Sequence, residues 1–312
     1  MDKTFGNLFL NIGAMKAGTT SLSANLSRHP ELHFSAEKEL HYFYHRHVQA
    51  GSLAKSVRQT RAREKYIPIL RGEPGQKELP KSRLQRILQN RVGHLLPRPP
   101  LNLDGLSTPD AAWIENYLSN PVDDAWFNRL FPLSETETYA CEFSNLSALL
   151  PGDIWTEIYS KAEKLRVLYT LRDPVKRLWS HTKFHLGMTK SLHLLDSWKL
   201  KDFEAFARQP DVWGQAEYGQ TCDTLHRSLP QGTWRVQSSE DMNADPMGSL
   251  RAIEEFLGIA PFNYPRWLIE RRLVASASIP MPDFYADLFR KDVTRIKGEL
   301  SDLGIPIPKN WI

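Results

Sequence analysis

Residues Gly13 to Thr20, which read Gly-Ala-Met-Lys-Ala-Gly-Thr-Thr, have the types and spacing of a loop that binds an anion. They follow an apolar run, Leu8 to Ile12, that predicts a buried strand, and they precede Ser21 to Arg28, which predicts a helix. A loop between a strand and a helix N-terminus aims backbone N–H groups and the positive end of the helix dipole at one point. The segment therefore predicts a site for phosphate or a similar anion, with an ordinary strand–helix turn as the simpler alternative.

The position of the lysine distinguishes this loop from that of a P-loop ATPase. Gly13 and Gly18 have P-loop spacing, and Thr20 stands where the P-loop serine or threonine would. Thr19 occupies the P-loop lysine position, and the lysine lies inside the loop instead, at Lys16. A P-loop ATPase needs its lysine on the β- and γ-phosphates. The loop is therefore suited to an anion but not to a triphosphate.

A second phosphate-type motif follows the strongest strand of the sequence, Leu165 to Leu171. Arg172 ends that strand, and Pro174 suits the first turn of a helix that we expect to continue to about Leu186. Ser180 lies about two turns into this helix. An arginine at a strand end and a hydroxyl in the next helix can hold a phosphate from two sides. A structural cap with an ion pair explains Arg-Asp-Pro equally well.

Strands and helices alternate around the two motifs in the manner of a parallel α/β sheet. Further strands are predicted at Leu32 to Phe34, Tyr139 to Phe143 and Thr233 to Val236. Further helices are predicted at 154–164, 202–208, 216–229, 246–257 and 284–303. We expect an α/β fold with a P-loop-like central parallel sheet flanked by helices, in a single domain covering residues 1–312.

Basic residues are concentrated between Gly51 and Pro100, where twelve Lys or Arg stand against three Glu, a balance of +9 in a chain of net charge +4. Two basic amphipathic helices are predicted there, near Ser52 to Tyr66 and Lys81 to Leu95, as an insertion or lid at about residues 48–110. Such a block often meets an anionic partner. We expect it to border the cleft of an anionic or glycan acceptor, and a solvated helical face is the alternative.

Two distant cysteines, Cys141 and Cys222, form neither a metal motif nor a disulfide framework, as in a reducing compartment. The first residues lack the apolar segment of a signal peptide, and no run of about 18 apolar residues predicts a membrane span. We expect a cytoplasmic protein that does not bind nucleic acid, with a clipped luminal domain of a membrane-anchored protein as the alternative. The sequence does not indicate an oligomeric state.

The two motifs together resemble the sulfotransferases that use 3′-phosphoadenosine 5′-phosphosulfate (PAPS). Gly13 to Thr20 is similar to the family's 5′-phosphosulfate loop, and Arg172 to Ser180 is similar to its 3′-phosphate segment. Downstream, Glu217-Tyr218-Gly219, Glu240-Asp241-Met242 and Phe256-Leu257-Gly258 follow in the order of the family's carboxyl half. The resemblance is closer to the bacterial and heparan sulfate branch than to the branch that acts on small molecules.

This resemblance implies PAPS as the sulfuryl donor and a role for each motif, with no metal. Lys16 would contact the bridging or sulfuryl oxygens, and the following loop would cradle the 5′-phosphate. Arg172 and Ser180 would bind the 3′-phosphate. The implied donor-binding residues are Lys16, Ala17, Gly18, Thr19, Thr20, Ser21, Arg172 and Ser180.

A third segment, Glu37 to Phe43, is similar to the family's Lys-Glu segment, in which the glutamate is the proposed base. The resemblance therefore implies Glu39 as the base, with His41 as the alternative or as a residue that orients the acceptor. The two side chains share a side if the segment is extended, and they diverge by about 200° if it is helical. A solvated charge run and a metal site at His41 and His45 are the alternatives; no cysteine accompanies the histidines, and we expect no metal.

One position departs from the heparan sulfate pattern. Tyr139 to Ser144 stands where that branch carries Glu-Lys-Ser or Glu-Lys-Thr at a strand end, and Phe143 replaces the lysine. A cationic contact to the sulfuryl group or acceptor is therefore in doubt. Two other functions stay open from the residues alone, a P-loop nucleotide kinase and a non-enzymatic polyanion-binding protein.

Overall fold

A computed structural model of the chain describes residues 3–48, 53–73, 101–269 and 279–311. The chain divides into two compact units, one made of Met1–Gln49 with Phe131–Ile312 and the other of Ala50–Leu130. No helix among the described residues is both long and apolar enough to cross a membrane.

Within its described residues, the first unit is built on a five-stranded parallel sheet. The strands are β1 (Phe5–Asn11), β2 (Leu32–Phe34), β3 (Tyr139–Phe143), β4 (Ala162–Leu171) and β5 (Trp234–Ser238). Their spatial order is β2-β3-β1-β4-β5, so β1 lies in the centre between β3 and β4. The connections change direction between β1 and β4, and open α/β sheets bind ligands beyond the carboxyl ends of strands at such a point.

The helices of the first half are α1 (Thr19–Leu26), α2 (Tyr42–His47), α3 (Lys55–Arg61), α4 (Ile67–Leu70), α5 (Thr108–Leu118) and α6 (Asp124–Arg129). Those of the second half are α7 (Gly152–Lys161), α8 (Pro174–Met188), α9 (Leu200–Ala207), α10 (Pro210–Trp213), α11 (Tyr218–Ser228), α12 (Ser239–Ala244), α13 (Pro246–Leu257), α14 (Arg266–Ile269), α15 (Tyr285–Leu288) and α16 (Arg290–Asp302). Short 3₁₀ turns lie at Asn145–Leu149, Leu192–Asp196 and Gly214–Ala216, and a π-helical turn at Ala62–Tyr66 joins α3 to α4.

Helices cover both faces of the sheet, as two neighbouring residues of β4 illustrate. Leu168 belongs to a buried apolar cluster with Leu22 of α1 and Leu250 of α13. Tyr169 points to the opposite face, where its ring meets that of Tyr218 on α11 edge to face at 6.0 Å. Parallel sheets bury both faces in this way. The predicted α/β fold with a central parallel sheet is confirmed.

A separate apolar cluster holds α8, the helix that follows β4. Val175, Leu178 and Trp179 pack there with Phe203 of α9 and Phe289. Trp179 is only 6% exposed, and its indole N–H donates to the carbonyl oxygen of Ile279 at 3.2 Å. The helix is therefore fixed against the unit along the face that carries these residues.

Several helix predictions differ from the structure in their bounds, and three show the largest differences. The helix predicted at 154–164 ends at Lys161, because Ala162 already pairs with Phe5 in the sheet. The helix predicted at 284–303 is interrupted at Phe289, whose fully buried ring anchors a non-helical residue between α15 and α16. The helix predicted at 52–66 begins at Lys55 and continues through the π-helical turn to Leu70. The helix predicted at 81–95 lies outside the described residues.

The second unit buries one arginine of the basic block. Arg58 is 0% exposed, and its Nη1 donates to the carbonyl oxygens of Tyr117 and Ser119. Its Nε donates to Leu53 at 2.8 Å, and its Nη2 donates to the Asn120 side chain at 2.6 Å. Arg58 therefore joins α3 to the end of α5, and its charge is satisfied by hydrogen bonds inside this unit.

Candidate active site

The loop after β1 is held in register with β4 by its first residues. The N–H of Ala14 donates to the carbonyl oxygen of Thr170 at 2.6 Å, and the N–H of Thr170 donates to Gly13 at 2.7 Å. The Asn11 side chain donates to the Thr170 hydroxyl at 2.9 Å. The start of the loop therefore lies beside Thr170 of β4, two residues before Arg172 in the chain.

The turn of the loop occurs at Lys16, which has a left-handed backbone with φ of 69°. This conformation is unfavourable for a residue with a side chain, by roughly 1–2 kcal/mol. Two contacts hold it in place. Arg172 donates from Nη1 to the carbonyl oxygen of Lys16 at 3.0 Å, and the N–H of Met15 donates to the Gln215 side chain at 3.0 Å. Arg172 thus links the two phosphate-type motifs directly.

Helix α1 begins at Thr19, directly after this turn, with Gly18 as its N-cap. Gly18 has φ of 91°, and a glycine has no side chain with which to cap the helix. The first N–H groups of a helix, here those of Thr19, Thr20 and Ser21, have no acceptor within the helix. They lie at the positive end of the helix dipole, which favours an anion.

Three cations gather near the loop. Burial lowers the pKa of Lys16, the positive charge of Arg172 lowers it further, and Lys183 adds a smaller effect, while Glu39 opposes them. Burial and Arg172 also lower the pKa of Lys183. The ammonium of Lys16 lies 4.3 Å from the centre of the Phe184 ring. Positive charges that repel one another in this way favour the binding of an anion between them.

Asp173 acts as the cap of α8, next to Arg172. Its Oδ1 accepts hydrogen bonds from the N–H groups of Val175 at 2.9 Å and Lys176 at 3.1 Å. Its own N–H donates to Glu240 at 3.0 Å. The helix cap that the sequence left open as an alternative is therefore present at Asp173. The guanidinium of Arg172 instead binds the loop after β1. Ser180 lies on α8 with 6% of its surface exposed.

The segment between β2 and α2 reaches the start of α1. Lys38 donates to the Thr19 hydroxyl at 3.4 Å and to Oε1 of Glu39 at 2.6 Å. Oε2 of Glu39 lies 3.7 Å from Nε2 of His41. The segment is neither a strand nor a helix, and His41 has a left-handed backbone with φ of 53°. The two candidate bases nevertheless lie side by side, with 35% of the Glu39 side chain and 16% of the His41 side chain exposed.

The end of β3 places different side chains on its two sides. Phe143 packs into the core, where its ring contacts those of Phe9 at 5.5 Å and Phe34 at 5.1 Å. Glu142 and Ser144 both accept a hydrogen bond from the N–H of His41, at 3.2 and 2.9 Å. Burial raises the pKa of Glu142 to about 7, against the effect of the Ser144 hydroxyl that donates to it.

The loop, the three cations near it and the two candidate bases all lie at the carboxyl ends of the strands. A family model described as a sulfotransferase domain matches residues 9–264 of this sequence. The chain belongs to the sulfotransferase family. This match favours a sulfotransferase over the nucleotide kinase and the polyanion-binding protein.

Solved sulfotransferase structures are similar to this chain along its length. A sulfotransferase from Alicyclobacillus acidocaldarius has 18% identity and a TM-score of 0.57, and the alignment covers 96% of each chain. The sulfotransferase domain of the Synechococcus PCC 7002 olefin synthase has 16% identity and a TM-score of 0.50, covering 98% of this chain and 97% of that one. At these identities the likeness shows the fold. A comparison with curated proteins found no match.

Several residues of the candidate site were not among those predicted. Lys183 lies one turn after Ser180 on α8, so helical spacing could have indicated it. Glu142 and Ser144 alternate with Phe143 at a strand end, which is also a readable signal. Gln215 has no signal in the sequence. No group of three or more His, Cys, Asp or Glu side chains in the described part of the chain is arranged to hold a metal ion.

Proposed function

We propose that this sulfotransferase transfers a sulfuryl group from PAPS to a hydroxyl or amine of an acceptor by in-line displacement with a general base. The observation that carries the proposal is the hydrogen bond from Arg172 to the backbone of Lys16, because it joins two anion-binding motifs in one place. A donor with phosphate groups at both its 3′ and 5′ positions needs two such sites side by side.

The residues present fit this donor. The N–H groups at the start of α1, with Ala17 and Gly18 before them, suit the 5′-phosphate. The Arg172 guanidinium and the Ser180 hydroxyl suit the 3′-phosphate. The mutual repulsion of the cations near the loop, which lowers the pKa of Lys16, would be offset by the negative charge of the donor. When bound, PAPS supplies the sulfuryl group and a nucleotide leaving group.

Lys16 stabilises the negative charge that develops as the sulfuryl group leaves. Its ammonium is half-buried in a loop with a fixed backbone, so it needs little reorganisation during the reaction. A fixed donor aimed at developing charge contributes roughly 3–4 kcal/mol to the stabilisation of a transition state.

Glu39 removes the proton from the attacking acceptor. Lys38 holds one oxygen of the carboxylate at 2.6 Å, and the other lies beside His41. The carboxylate is exposed enough for an acceptor to reach it. A positioned base contributes roughly 10²–10⁴-fold to the rate. His41 is the alternative base or a residue that orients the acceptor.

We also propose that the insertion predicted at about residues 48–110 belongs to a single sulfotransferase domain, since the family model spans residues 9–264 across it. The positive balance of the basic block supports an anionic or glycan acceptor.

Turnover of PAPS with a panel of acceptors tests the proposed function. The panel contains alcohols, phenols, amines, sugars and sulfated glycans, and release of 3′-phosphoadenosine 5′-phosphate (PAP) is measured. We expect release that depends on the acceptor and is lost in Lys16→Ala. Release that is equal in the wild type and in Lys16→Ala would contradict the proposed mechanism.

A further inference from the structure

The backbone N–H of His41 is hydrogen-bonded to two side chains at the end of β3. Its N–H donates to Oε1 of Glu142 at 3.2 Å and to the hydroxyl oxygen of Ser144 at 2.9 Å, and the Ser144 hydroxyl donates in turn to Oε1 of Glu142. These residues come from segments about one hundred positions apart in the sequence. The three groups therefore form a closed hydrogen-bond network between β3 and the Glu39 segment.

This network holds a strained residue. His41 has φ of 53°, and a left-handed residue with a side chain persists only where its surroundings fix it. Two further contacts hold this backbone: the N–H of Glu39 donates to the Glu37 side chain at 3.2 Å, and the carbonyl oxygen of His41 accepts from the N–H of His45 at 3.0 Å. The backbone from Glu39 to His41 is therefore set by specific contacts.

Glu142 cannot itself contact an acceptor. It is 1% exposed, and Ser144 is 0% exposed, whereas 35% of the Glu39 side chain is accessible. An ionisable carboxyl group is costly to bury. The protein nevertheless has one at this strand end, where its oxygen accepts a hydrogen bond from the backbone of His41.

We infer that Glu142 and Ser144 are positioning residues of the transfer reaction, which act through the backbone of His41 to hold the Glu39 carboxylate where it meets the acceptor. This inference rests on the proposed function of Glu39 as the base. The reaction needs such support, because a displacement of about 1 Å in a catalytic group can cost roughly 100-fold in rate.

A double-mutant cycle tests this role. Glu142→Ala should lower kcat by about 10- to 100-fold and leave the Kd of PAP within about twofold, because the donor loop is not displaced. Glu142→Gln should cost less, since its amide oxygen still accepts both hydrogen bonds. In a Glu39→Gln background, Glu142→Ala should give no further loss, because the misplaced group has already been disabled.

Ser144 provides a second, milder test if Glu142→Ala does not fold. Ser144→Ala should lower kcat several-fold, and Ser144→Thr, which keeps the hydroxyl, should restore it. Glu254→Ala is the matched control. Glu254 lies on α13 with 2% of its surface exposed, and its carboxyl group accepts a hydrogen bond at 3.0 Å from the N–H of Phe262, in the segment after that helix. It should lower the melting temperature and leave kcat unchanged below the transition.

The outcomes separate the two proposals. A full further loss from Glu142→Ala in the Glu39→Gln background, or an equal loss of kcat in Glu254→Ala, would overturn the positioning role alone. Full activity of Glu39→Gln would overturn the base assignment, and the positioning role would fall with it.

Discussion

At the scale of the residue, Lys16 and Arg172 carry neighbouring positive charges with different expected roles. Lys16→Ala should lower kcat by about 100- to 1000-fold and change the Kd of PAP only a few-fold, because its charge acts mainly on the leaving oxygen. Arg172→Ala should mainly weaken PAP binding, by about 10- to 100-fold, because it removes charge-assisted hydrogen bonds to phosphate. Steady-state kinetics and calorimetry measure both effects.

The exposed Lys201 on α9 provides the control for charge alone. Lys201→Ala should change neither kcat nor PAP affinity. If Lys16→Ala and Arg172→Ala instead show the same pattern of loss, the proposed separation of their roles is wrong.

The base is tested by two single substitutions. Glu39→Gln keeps the size of the side chain and removes its basic oxygen, so it should lower kcat by at least about 100-fold with PAP binding intact. His41→Ala should cost less, because the imidazole only borders the carboxylate. Nearly full activity of Glu39→Gln combined with an inactive His41→Ala would transfer the role of base to His41.

Glu142 makes the stability of the fold depend on pH, and its contribution decreases as the pH rises. Burial raises its pKa from 4.5 to about 7, so the folded state binds this proton more tightly than the unfolded state does. Its contribution to stability is therefore complete below pH 4.5 and is lost as the pH rises through 7. The Glu142→Gln variant has no ionisable group at this position, so it does not lose stability in this way as the pH rises.

The free energy of unfolding of Glu142→Gln, relative to the wild type, should therefore rise by up to roughly 3 kcal/mol between pH 4 and pH 8. Urea unfolding at several pH values measures it. A difference that is constant or falls with pH would show that Glu142 is not buried as a mainly neutral acid in this range.

The sequence could identify residues whose role is indicated by the residues next to them in the chain. Lys16 lies within one loop, and Arg172 directly follows one strand. The contacts of Lys38 with Thr19 and of Glu142 with His41 join segments that only the fold brings together. No local pattern specifies such contacts, and the same holds for the contact of Gln215 with Met15.

At the scale of the element, the turn into α1 depends on Gly18. Its φ of 91° is unfavourable for other residues, and an added Cβ would lie 3.4 Å from the Met242 side chain. Gly18→Ala should lower the free energy of unfolding by about 1–2 kcal/mol and weaken PAP binding, because the N–H groups at the start of α1 would shift.

Gly6→Ala is the matched control, since an added Cβ there meets nothing within 4 Å among the described residues and the backbone is not left-handed. It should reduce neither stability nor PAP binding. Urea unfolding and calorimetry measure both variants, and equal behaviour of the two would contradict the role of the Gly18 turn.

The sequence predicted elements well where the apolar pattern matched the period of a strand or helix. The strand of Leu32–Phe34 and the helix of Pro246–Leu257 were predicted with the bounds that the structure has. The break between α15 and α16 was missed, because Phe289 fits a helical pattern, whereas its burial in the cluster with α8 and α9 depends on the fold.

At the scale of the molecule, the fold accounts for how distant motifs form one site. The loop after β1, the segment after β2, Ser144 after β3 and Arg172 after β4 all lie at the carboxyl edge of a parallel sheet. This convergence follows from the predicted topology. The net charge of a segment, in contrast, did not predict that Arg58 would be buried, because burial depends on the carbonyl groups that α5 presents to it.

We propose that this site binds a nucleotide with a 3′-phosphate, and calorimetric titration with PAP is the decisive test. We predict a Kd for PAP in the micromolar range, which corresponds to a binding free energy on the order of −8 kcal/mol. Adenosine 5′-monophosphate has no 3′-phosphate for Arg172 to bind, so it should bind at least about tenfold more weakly. The absence of binding at about 1 mM PAP, or equal affinity for the two nucleotides, would contradict the account.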